Sequence, residues 1–145
     1  MALSLQQKLK MNHHIQGLIG QDFRWGFNDC NLFLIKLFDY VNDTNKAEQI
    51  VNQYHDRSSA IAFHRRLGLS PAQWLHLNGF EKRDYNGEWQ DGDVAIHQHK
   101  VYATAYVYFN RAAWTVPEGK KLTGYHPTAL EPHITSYWRY NGKHS

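Results

Sequence analysis

A single cysteine in 145 residues means that no internal disulfide can form, which fits folding in a reducing compartment. No such staple is needed, because a chain of this length buries roughly two thirds of its unfolded surface. Nowhere do about eighteen apolar residues run together, so no membrane-spanning helix is expected, and residues 1–10 lack the continuous apolar core of a signal peptide. Basic residues lack clustering too. The formal charge is +3, but Lys and Arg stand side by side only in isolated pairs, at Arg65-Arg66, Lys82-Arg83 and Lys120-Lys121, not in the stripe that nucleic-acid binders present. Nucleic acid is therefore not expected as a partner. There is no internal repeat, low-complexity tract or linker, and residues 1–145 read as one domain.

What the chain has in quantity is aromatic surface: five Trp, nine Tyr and seven Phe, suited to cores and to broad contact faces alike. Its most informative stretch is Arg24-Trp25-Gly26-Phe27-Asn28-Asp29-Cys30. Asn28 and Asp29 are helix caps, and from Cys30 the apolar positions 30, 33, 34, 37, 38 and 41 keep a 3.6-residue period. Leu32 and Ile35 widen that stripe, so the helix over 29–41 is expected to be wrapped on most sides. A thiol in its first turn meets the helix dipole and free N–H groups, which predicts a pKa below that of an ordinary cysteine unless burial reverses it. An isolated cysteine is more often a small buried hydrophobe.

Before that helix, Leu5, Leu9 and the surroundings of Ile15 predict an amphipathic helix over 3–17. After it come short helices over 43–54, 60–67 (stopped by Gly68) and 70–78, the last opened by Ser70-Pro71 and closed at Gly79. From Phe80 onward the pattern changes to strands: 80–84, 94–96, 101–109, 112–116 and 134–140, separated by Asn86-Gly87, Asn110-Arg111 and Pro117-Glu118-Gly119. Helices followed by antiparallel strands make an α+β domain. Trp25 and Trp138 are both expected to be buried.

The order Trp25-Gly26, Asp29-Cys30, three short helices and Gly92-Asp93-Val94 at the start of a sheet resembles the NlpC-type branch of the papain-like cysteine peptidases. Within that branch it looks like the small phage tail assembly proteins, with Tyr54, Gly68, Gly79, Trp114 ahead of Pro117-Glu118-Gly119, and Trp138-Arg139 as further counterparts. The resemblance covers roughly residues 20 to 140. It implies N-terminal helices around a Cys-bearing central helix on a C-terminal antiparallel sheet. It also implies Cys30 as the nucleophile position and Trp25, Gly26, Asp29, Gly92 and Asp93 as the structural motif.

One departure governs the functional expectation. Active NlpC-type enzymes carry a base histidine on the strand after the Gly-Asp hairpin, and here that position falls on Ala103 or Thr104, with the third, orienting residue near Trp114. His97 and His99, two apart on the preceding strand, are the remaining candidates for a base. They are also a weak metal pair without a third ligand, so neither a metal nor another cofactor is expected. The resemblance thus implies a degenerate peptidase fold serving as a structural or assembly component near a phage tail tip. Its location would be the virion, or the host cytoplasm during assembly. Its partners would be other tail proteins, in a hetero-oligomer or symmetric ring. The alternative is a cysteine peptidase or amidase that cleaves peptidoglycan stem peptides during genome entry.

Overall fold

Ser4 and Gln7 exchange side-chain-to-backbone hydrogen bonds, and this reciprocal cap starts the first helix, α1 (Leu5–Leu18), in a computed structural model that describes residues 3–142. Met11 and Ile15 are its buried residues, and Leu18 packs on the same core. The expected stripe through Leu5 and Leu9 is corrected, since these are 72% and 55% exposed. Positions 11, 15 and 18 share one helical face, and 5 and 9 stand on the other side.

α2 (Cys30–Asn42) is the hub. Leu32, Phe33, Leu34, Ile35, Leu37, Phe38 and Val41 are all buried, so apolar contact extends around most of its circumference, as the sequence predicts. It packs against α1 and against the sheet. The helix expected over 43–54 shrinks to a 3₁₀ turn at Ala47–Gln49. Asn52 then adopts φ 64° and gives its N–H to the Gly26 carbonyl, which takes the chain out of helical continuation. Asp56 caps α3 (Arg57–Leu67), which ends at Gly68, and Ser70 caps α4 (Pro71–Leu77).

The second half is a six-stranded antiparallel sheet: β1 (Phe80–Arg83), β2 (Val94–Gln98), β3 (Ala103–Phe109), β4 (Ala112–Thr115), β5 (Thr123–Tyr125) and β6 (Ser136–Tyr140), in the spatial order β1-β6-β2-β3-β4-β5. A one-turn helix, α5 (Pro127–Leu130), precedes β6. Side chains alternate cleanly along β3, where Ala103, Ala105, Val107 and Phe109 are buried. Paired residues share a face, so Ile96 opposite Ala105 and Gln98 opposite Ala103 point the same way, towards α2. His97 opposite Thr104 points to the other face. Helices packed on an antiparallel sheet make this an α+β fold. Trp138, on β6, is buried as expected, whereas Trp25 is only half-buried.

Candidate functional site

The turn before α2 is fixed by one carboxylate. Asp29, 2% exposed, accepts the Leu32 N–H on Oδ1 at 2.9 Å, and on Oδ2 both the Gly26 N–H at 2.9 Å and the Tyr54 hydroxyl at 2.8 Å. Arg24 and Asn28 close the turn with two backbone hydrogen bonds. Gly26 has φ +77°, and a Cβ there would lie 2.1 Å from the Tyr54 carbonyl oxygen. The segment's residue types thus follow from one local knot. Burial, then the adjoining Asp29 charge, pushes the Tyr54 hydroxyl well above its usual pKa, so it stays a donor. Asp29 thus serves at once as helix cap and as anchor of the turn.

Cys30 follows at the first helical position and lines the floor of a cleft of about 370 Å³, within the range of small-molecule and peptide pockets. Its Sγ lies 4.0 Å from the Ala103 carbonyl oxygen, to which the thiol donates. The expected depression of its pKa is corrected: the thiol is pushed up to about 12. Burial is the largest cause and the Asp29 carboxylate the next, and together they outweigh the nearby backbone donors. Alkylation by iodoacetamide is accordingly expected to be far slower at pH 8 than for a free cysteine, and to keep rising up to about pH 12. A plateau below pH 9 in the folded protein would show that the helix terminus, not burial, controls the thiol.

The residue facing Cys30 from the sheet is alanine. Of the two sequence positions proposed for the base, Ala103 carries its side chain on the α2 face and Thr104 on the other. His97 pairs with Thr104 and His99 Nε2 meets Thr104 Oγ1 at 3.1 Å, but neither imidazole is among the described residues that line the cleft, although Thr104 itself is. Trp114 does not hold the orienting position. It pairs with Val107, four residues along β3 from Ala103, or about 13 Å at strand rise. Its indole N–H donates to the Phe109 carbonyl. The chain beyond β4, at Val116, Pro117 and Glu118, is what reaches the cleft.

Sequence reasoning passed over α3. Arg57, Ala60, Ile61, His64 and Gly68 line the cleft at helical spacing, a stripe legible in the sequence once the helix is known to face Cys30. His64 Nδ1 donates to the Ala60 carbonyl at 2.8 Å, which leaves Nε2 as its acceptor when neutral. Phe23 and Trp25 form part of the opposite wall, and their exposure to the cleft accounts for Trp25 being half-buried. The cleft is therefore an aromatic-walled groove with His64 on its rim and, at its base, a half-buried thiol whose pKa is pushed up.

Gly92 and Asp93 do not belong to the cleft. A Cβ on Gly92 would meet the Leu3 side chain at 2.9 Å, and Asp93, 1% exposed, is gripped by Arg139 through Nε and Nη2, each at 2.9 Å. The two outlying motifs thus form one structural tie between β2 and β6. Among the described residues, no group of three or more His, Cys, Asp or Glu is arranged to hold a metal ion, and no helix is long and apolar enough to cross a membrane. No curated protein and no solved structure matches the chain. The model of a family described as a domain of unknown function, DUF6950, matches residues 6–140, which include the turn, the cleft and the β2–β6 tie, and the chain belongs to that family.

Proposed function

We propose that this domain is a degenerate NlpC-like, papain-like fold that works by docking in a bacteriophage tail, near its tip or during assembly, and not by turning over substrate. The observation that carries this reading is the pairing of Cys30 with Ala103. Thiol catalysis needs a base beside the sulfur and a group to orient that base, whereas an alanine carbonyl at 4.0 Å accepts a proton share without removing the proton. The thiol, pushed up to about 12, has almost no thiolate at neutral pH. The tail assignment rests on the resemblance of the Trp25-Gly26, Asp29-Cys30 and Gly92-Asp93-Val94 segments to small tail assembly proteins. Other tail proteins are the partners this reading implies, with the virion as its location.

Replacing Cys30 with Ser or Ala tests it. Normal yields of assembled, infectious particles carrying the variant are expected, together with no cleavage of peptidoglycan fragments by the purified parent. Loss of infectivity with intact tails, accompanied by Cys30-dependent cleavage, would replace the docking reading with a cell-wall peptidase. In that case His64, the imidazole that lines the cleft, becomes the first base to substitute.

A further inference from the structure

The tip of the β2–β3 hairpin has two sides. Towards the cleft it contributes Gln98, Val101, Tyr102 and Ala103 to the wall. On its other side three imidazoles gather: His97 and His99 with ring centroids 4.0 Å apart, and His97 and His133 5.1 Å apart. Tyr102 joins the two sides. Its ring stacks on His99 at 4.3 Å and 15°, and the Arg57 guanidinium lies 5.1 Å from its centroid. Arg57 in turn donates from Nε and Nη2 to Glu118 Oε1. One chain of contacts, His97 to His99 to Tyr102 to Arg57 to Glu118, therefore ties together three walls of the cleft: the hairpin, α3 and the segment after β4.

We propose that this histidine cluster is a pH-operated latch on the cleft, holding the Tyr102–Arg57–Glu118 strap in place while the imidazoles are neutral and releasing it when they are protonated. Neutral rings stack without electrostatic cost, but two or three imidazolium charges within about 5 Å repel one another. The titratable and charged groups facing the cluster are few. They are His99 and Tyr102 from the hairpin, His133 from the 3₁₀ turn at Glu131–His133 and, across Tyr102, the Arg57 cation with its partner Glu118. No carboxylate contacts the rings to absorb the new charge among the described residues. His97 lies below its ordinary value, through burial first and then through His99 and His133. The latched form therefore binds fewer protons than a released one, and release is favoured as pH falls below about 6.5, the ordinary histidine value. The inference concerns access to the cleft, so it holds whether the domain docks in a tail or cleaves peptidoglycan.

Cys30 on the cleft floor reports the opening. The full-length parent and an Arg57→Gln variant, whose strap is cut at every pH, are reacted with dipyridyl disulfide, which stays reactive in acid, from pH 7.5 to 5. Their rate ratio cancels the thiol's own pH dependence. At pH 7.5 the parent is expected to react about tenfold more slowly, the factor that one unit of pKa change in a latch group supplies, and by pH 5 the ratio should approach one. A His97→Gln/His133→Gln double variant should hold the same ratio across the range. A ratio in the parent that ignores pH, or a collapse that persists without the two histidines, would overturn the latch. So would global unfolding of parent and double variant alike at pH 5, seen by circular dichroism.

Discussion

Gly26→Ala is expected to destabilise the domain by more than about 3 kcal/mol, a large share of the roughly 5–15 kcal/mol that holds a typical domain folded. Two effects add. The left-handed backbone at φ +77° disfavours any Cβ by roughly 1–2 kcal/mol, and the new methyl would lie 2.1 Å from the Tyr54 carbonyl oxygen. That oxygen is main chain, held by the 24–29 knot and the Asn52-to-Gly26 hydrogen bond, so it cannot swing aside as a side chain would. Gly68→Ala is the control. It too has positive φ, +62°, but no atom within 4 Å of its Cβ, so it should cost only about 1–2 kcal/mol. Urea denaturation of both variants separates backbone strain from collision. If Gly26→Ala cost no more than Gly68→Ala, the turn would not be packed against residue 54 as described.

The sequence was readable wherever local chemistry decides structure. The cap at Asp29, the apolar circumference of α2, the Ser70-Pro71 helix start and the Gly68 stop each depend on neighbours within a few residues, and each appears where expected. It was unreadable where a distant partner decides. Leu5 and Leu9 have helical spacing, but which face of α1 turns inward depends on α2. β5 and α5 have only three and four residues, too few to show a period, and exist because β4 and the core receive them. At the site, the helix terminus promised an acidic thiol. Desolvation at the cleft floor reversed this, and desolvation is a property of the assembled walls. The rings of His97 and His99 stand 4.0 Å apart, but His97 lies on the face turned away from Cys30, a fact set by the Gln98–Ala103 register and not by composition.

At the far end of β2 a charged tie joins it to β6, and Asp93→Ala is expected to cost about 3–5 kcal/mol by breaking it. Asp93 is 1% exposed and receives the Gln90 N–H at 2.8 Å, both Arg139 donors and the Tyr137 hydroxyl. Burial, then its bond to Asp93, holds Tyr137 above its usual pKa, so it remains a phenol donating to the carboxylate. Removing the carboxylate takes the counter-charge from a guanidinium whose side chain is only 15% exposed and the acceptor from the Gln90 N–H, leaving the Glu88 carbonyl as the acceptor that Arg139 and the Tyr137 phenol retain. Asp93→Asn should cost less, because the amide oxygen can still accept. Arg139→Ala alone should also be costly, since it leaves a buried carboxylate without its cation. The Asp93→Ala/Arg139→Ala double variant should then be more stable than the sum of the single losses predicts, because neither charge is left stranded. Urea melts of the four variants measure this coupling. Additive losses, or an Asp93→Ala midpoint equal to the parent's, would mean that β2 and β6 are held by their backbone ladder and the Val94–Trp138 contact alone, and that the Gly92-Asp93 and Trp138-Arg139 segments are not one device.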